Sequence, residues 1–103
     1  KYMEIKFRIA NASDIKGIVD LCNDCFGDGT DLEEARRIYE GTKNNPNQIH
    51  LIGEANGQII AHTRIEIIET IFKGMDTYAI LNHVCVRGDY RRHKLATHML
   101  DAR

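Results

Sequence analysis

The sequence predicts an α+β fold, a mainly antiparallel sheet flanked by helices in the order β-α-α-β-β-β-α. Three observations carry this reading. Apolar and polar side chains alternate with a period of two in some segments, as half-buried strands require. In others, apolar residues recur three and four apart, which gathers them on one face of a helix. Between two isoleucine-rich runs stands Asn56-Gly57, a dipeptide suited to the positive φ angles of a tight hairpin.

Taken in order, Glu4 to Ile9 sets Ile5, Phe7 and Ile9 against Lys6 and Arg8 and reads as the first strand. Ser13 is a candidate cap for the next segment, where Ile15, Ile18, Val19, Cys22 and Phe26 share a helical face. Gly27-Asp28-Gly29 breaks that pattern. Thr30-x-x-Glu33 then reads as a capping box, with Asp31, Glu33 and Glu34 near the positive end of a second helix that runs to about Gly41. Asn44-Asn45-Pro46-Asn47 forms a turn, and Gln48 to Ala55 and Gln58 to Phe72 pair as a hairpin. Lys73-Gly74-Met75-Asp76 turns the chain into a strand from Thr77 to Val86, with Tyr78, Ile80, Val84 and Val86 on one face. Leu95, Ala96, Met99 and Leu100 return to helical spacing.

Composition narrows the functional classes. At 103 residues with 43% hydrophobic content, the chain suits one domain, residues 1–103. The 14 Lys and Arg balance 15 Asp and Glu, which gives no support to a generic nucleic-acid or membrane binder. No stretch approaches the ~20 apolar residues of a membrane span, and the first residues lack the apolar core of a signal peptide. A cytoplasmic protein is expected. Cys22, Cys25 and Cys85 are too few and odd in number for a disulfide scaffold. Cys22-Asn23-Asp24-Cys25 has C-x-x-C spacing, but it falls in the last turns of a helix rather than opening one. Only Cys85 remains as a further thiol for a four-ligand zinc site, so no metal is expected.

Chemistry concentrates after the last strand. From Val84 to Thr97 an apolar strand passes through a basic loop into a helix, and a helix start offers unpaired N–H groups and partial positive charge to an anion. Arg91, Arg92, His93 and Lys94 add cationic side chains at the same spot, Ala96 is small where the chain must approach its ligand, and Leu95 anchors the helix. A phosphate-bearing cofactor is the direct inference.

The run Val86-x3-Tyr90-Arg91-x3-Leu95-Ala96-x2-Met99-Leu100 resembles the acyl-CoA-binding motif of the GNAT acyltransferases, written Gln/Arg-x-x-Gly-x-Gly/Ala. Arg91 matches the opening position and Ala96 the closing one, while Lys94 departs from the expected first glycine. Its side chain could crowd the pyrophosphate, or turn outward while its N–H still binds. The element order is also that of the family, which continues past this motif into a further strand, a helix and a hairpin. The resemblance implies transfer of an acetyl group from acetyl-CoA to the amine of a small molecule or peptide by direct attack. The pyrophosphate would lie on Arg91, Arg92, His93, Lys94, Leu95, Ala96 and Thr97, and the pantetheine arm along Val84, Cys85 and Val86. The tyrosine that protonates the leaving thiolate in the family would lie beyond the motif helix.

A base for the amine's proton is sought on the inner strands, where His83, Glu66 and Glu69 are candidates and Asn82 could orient the substrate or a water. His83 is preferred because histidine as a residue type titrates near neutrality. Asn82 and His83 point to opposite faces of a strand unless a bulge intervenes. Asp28, Asp31 and Glu33, near the wall of the family's acceptor site, are candidates for selecting a cationic amine. An exposed edge on the motif strand leaves a homodimer open. The alternative reading is a non-catalytic acyl-CoA-binding or protein-interaction domain of the same fold.

Overall fold

A computed structural model describes residues 4–27, 29–69 and 77–88. Asp28, the turn at 73–76, the basic loop from Arg91 to Thr97 and the expected last helix lie outside the described residues. Within them the order is β1 (Lys6–Ile9), a short 3-10 turn (Ala12–Asp14), α1 (Ile15–Phe26), α2 (Leu32–Thr42), β2 (Gln48–Ala55), β3 (Gln58–Glu69) and β4 (Thr77–Val86). The strands form one antiparallel sheet in the order β1-β2-β3-β4. Asn56 and Gly57 take φ angles of 53° and 77°, as the β2–β3 hairpin demands.

Both helix starts differ from the sequence reading, for local reasons. Ser13 does not cap α1. The chain turns two residues earlier, where the Asn11 side chain accepts from the Ser13 N–H at 3.0 Å and Asp14 accepts from the Asn11 N–H at 2.8 Å. The Ser13 hydroxyl is spent on Asn11 Oδ1 at 2.6 Å. Thr30 is likewise not the cap of α2, because its backbone is held to the Asn23 side chain by two hydrogen bonds, and Asp31 accepts from the Glu34 N–H at 2.9 Å instead. Gly27 closes α1 in the left-handed region, with φ 67°.

The apolar stripe of α1 lies on the sheet as its spacing predicts. Ile15, Ile18, Val19 and Cys22 are buried with Ile52 of β2 and Cys85 of β4, whereas Phe26 at the helix end stays 48% exposed. Gly17 permits the close approach: a Cβ there would meet Ile59 Cδ1 at 2.8 Å. Leu51, Ala61, Ile65 and Val86 form a second cluster on the opposite side of the pleat. At the β1 end, Arg8 forks onto both oxygens of buried Asp14 at 2.7 and 2.8 Å and reaches Glu54 at 3.2 Å. That network ties the 3-10 turn to the first two strands, and the Arg8 guanidinium holds the Asp14 carboxyl below its usual range.

Candidate active site beside the β4 bulge

Regular pairing of β3 with β4 fails at one point. His62 faces Cys85 and Arg64 faces Asn82, so Thr63 alone opposes both His83 and Val84. This is a β-bulge, and it relaxes the rule that would put Asn82 and His83 on opposite faces. It also breaks the expected face of β4: Tyr78, Ile80 and Val84 are 44%, 40% and 38% exposed, and Val86 is buried. His83 sits in the bulge at φ 51°, a conformation histidine adopts more readily than most side chains. Thr63 Oγ1 donates to the Asn82 carbonyl at 3.2 Å, so the displaced backbone keeps a partner.

Between the two helices and the sheet lies a cavity of about 330 Å³, floored by Ile15, Ile18, Val19, Ala35, Ile38 and Tyr39 and lined on its polar side by His50, His62, Arg64 and His83. His83 opens onto it and meets Phe26 edge-on, with ring centroids 5.8 Å apart. The other candidate bases are elsewhere. Glu66 is held by Arg64 Nη2 at 3.0 Å and is not among the lining residues, and Glu69 is exposed at the strand end opposite Thr77. Asn82 is the cross-strand partner of Arg64, and Asn82 Oδ1 and Arg64 Nε are both buried without a hydrogen-bond partner among the described residues. Buried polar atoms are rarely left so, and a bound water or ligand is one way of satisfying them. No carboxylate lines the cavity among the described residues: Asp31 caps α2 and Glu33 is exposed.

The tertiary structure also assembles a cluster that spacing along the chain does not show. Cys22 of α1 and Cys85 of β4 bring their sulfurs to 3.1 Å, and Cys22 Sγ lies 3.9 Å from Nδ1 of buried His62. His62 Nε2 in turn meets His50 Nδ1 at 2.9 Å. Cys85 is thus the partner of Cys22, while Cys25 turns to the Val86 carbonyl at 3.5 Å. The bond from Cys85 draws the Cys22 thiol well below its ordinary range, against burial and with help from His62; the same bond and burial push Cys85 up. Burial, with smaller electrostatic contributions from neighbouring His62, Arg64 and His83, lowers His50 to about 4, so it is neutral at pH 7. His50 and His62 were absent from the sequence reading. The available signal was their place on the alternating positions of β2 and β3 that face α1, where strand periodicity otherwise calls for apolar residues.

Val84, Cys85 and Val86 close β4, the edge strand of the described sheet. Among the described residues no helix is long and apolar enough to cross a membrane.

Comparison with known proteins bears on the whole arrangement. No curated protein matches the chain. Among solved structures, glucosamine-6-phosphate N-acetyltransferase from Arabidopsis thaliana superposes with a TM-score of 0.82 at 19% identity, covering 95% of this chain and 70% of that one. A predicted acetyltransferase with acetyl-CoA from Clostridium acetobutylicum gives 0.74 at 24% identity, over 96% and 70%. Aminoglycoside 6'-N-acetyltransferase from Acinetobacter baumannii gives 0.77 at 17%, over 96% and 68%. The acetyltransferase (GNAT) domain model matches residues 6–103, the described sheet and helices together with the basic loop, and the chain therefore belongs to the GNAT acetyltransferase family.

Proposed function

We propose that this domain moves an acetyl group from acetyl-CoA to a primary amine held in the cavity beneath α1 and α2. The observation that carries the reading is the bulge that presents His83 to that cavity at the very strand end, Val84 to Val86, where the resemblance to the family puts the pantetheine arm. The neutral amine attacks the thioester carbon, a C–N bond forms, and the C–S bond breaks to release CoA. His83 takes the amine's proton directly or through a water, and Asn82, which stands behind the lining as the cross-strand partner of Arg64, is the acceptor for a water that reaches it from the cavity. Arg91, Arg92, His93, Lys94, Leu95, Ala96 and Thr97 bind the pyrophosphate through helix-start amides and side-chain charge.

The lining favours an amine borne on an apolar body over a polycation, since the cavity offers imidazoles and the Arg64 guanidinium but no carboxylate among the described residues. An amine as the acceptor, though not its apolar body, is supported by relatives whose names record amino-sugar and aminoglycoside acceptors. A calorimetric titration with acetyl-CoA and with CoA tests the donor half. Binding is expected, and charge reversal at Arg91 and Arg92 weakens it. A folded protein that binds neither compound ends the proposal, and affinity unchanged by the reversal removes the pyrophosphate from that loop. Binding without turnover across a panel of apolar and cationic amines would favour a non-catalytic acyl-CoA-binding domain.

A further inference from the structure

We infer that Cys22, Cys85 and His62 form a binding site for zinc, with three protein ligands and a fourth coordination position open to the cavity beneath the helices. The three come from α1, β4 and β3, all are buried, and their ligand atoms lie within 4.8 Å of one another. Two thiolate sulfurs and an imidazole nitrogen are the donor set that suits this ion. Zinc–sulfur bonds of about 2.3 Å at a tetrahedral angle put two sulfurs about 3.8 Å apart. The sulfurs now stand at 3.1 Å, with Cys22 Sγ at 3.9 Å from His62 Nδ1, so a modest rotation of the thiols admits the ion.

The surroundings support the same assignment. A ligating histidine is usually fixed by a hydrogen bond from its other ring nitrogen. Here His62 Nε2 lies 2.9 Å from His50 Nδ1, a contact that holds the ring with its other nitrogen, Nδ1, turned toward the sulfurs. Cys22 and His62 both line the cavity, which supplies an entry path and room for a water in the fourth position. Cys25, the other half of the C-x-x-C, is bonded to a backbone carbonyl and lies outside the cluster.

The site requires no acyl-CoA, so its test is independent of acetyl transfer. The reduced protein is titrated with Co2+ and the visible absorption of tetrahedral cobalt and the thiolate charge-transfer band are followed, with Zn2+ then added in competition. One equivalent is expected to bind. Cys22→Ser and Cys85→Ser abolish the spectrum, Cys25→Ser retains it, and His50→Leu, which removes the group that orients His62, lowers affinity about tenfold to a hundredfold. Should a serine variant fail to fold, alkylation of the wild-type chain decides: Zn2+ is to protect Cys22 and Cys85 and leave Cys25 reactive. A folded, reduced protein that takes up neither metal overturns the proposal, as does a spectrum lost with Cys25→Ser and kept with Cys85→Ser.

Discussion

Two polar clusters lie at opposite ends of the same sheet, and they are built on different terms. Arg8, Asp14 and Glu54 are mutually satisfied: both Asp14 oxygens receive the guanidinium, one of them also receives the Asn11 N–H, and Glu54 accepts from Arg8 Nε and Nη2. Around the β4 bulge, His50, His62, His83, Cys22 and Cys85 crowd together while Asn82 Oδ1 and Arg64 Nε have no hydrogen-bond partner among the described residues. A closed network of opposite charges fixes the chain. An open one, with a cavity beside it, has capacity left for a ligand, a proton or an ion.

The largest effect expected from breaking this contrast is catalytic. His83→Ala should lower kcat for acetyl transfer by about 10²- to 10⁴-fold with little change in acetyl-CoA affinity by calorimetry. Loss of cofactor affinity in step with kcat would move His83 from proton transfer to cofactor binding. At the other end, Asp14→Ala removes the partner of a guanidinium and leaves the Asn11 N–H unsatisfied. The expected loss is roughly 2–3 kcal/mol in urea unfolding, below the full value for a buried pair because Arg8 keeps Glu54 and is partly exposed. Acetyl-CoA affinity is expected to be untouched.

Acid separates the clusters further. The His50 pKa falls on folding, so between the ordinary histidine value and about 4 the unfolded chain binds more protons than the folded one, and stability declines as pH falls through that window. Discounted for partial exposure, the loss is roughly 1–2 kcal/mol and should vanish in His50→Leu, as read from thermal midpoints across the pH series. Asp14, also depressed on folding, gives up its contribution only at lower pH, as the pH falls through its folded value below the usual carboxylate range. Smallest of all is Lys16→Ala. Its ion pair with Asp20 is 63% exposed on both sides, and a change under about 0.5 kcal/mol is expected by the same unfolding measurement.

Much of the architecture was legible one segment at a time. β2, β4 and the Asn56-Gly57 turn stand where alternation and turn chemistry put them, and α1 buries the stripe its spacing marks. Helix starts were less legible, because Ser13 and Thr30 compete with Asn11 and Asp31 for the same backbone donors and only the observed hydrogen bonds decide between them. His83 was legible as a candidate by residue type, but its exposure to the cavity follows from an extra residue in β4 relative to β3. A register slip of that kind leaves no mark in either strand taken alone.

The sequence by itself determined the order of elements, the turn between β2 and β3, the buried face of α1 and the resemblance carried by Tyr90 to Leu100, since each depends on residues near one another in the chain. Only the tertiary structure decided that Cys22 belongs with Cys85 and His62 rather than with Cys25. Those partners are 63 and 40 positions away, and it is the sheet register and the seating of α1, made close by Gly17, that bring them within reach.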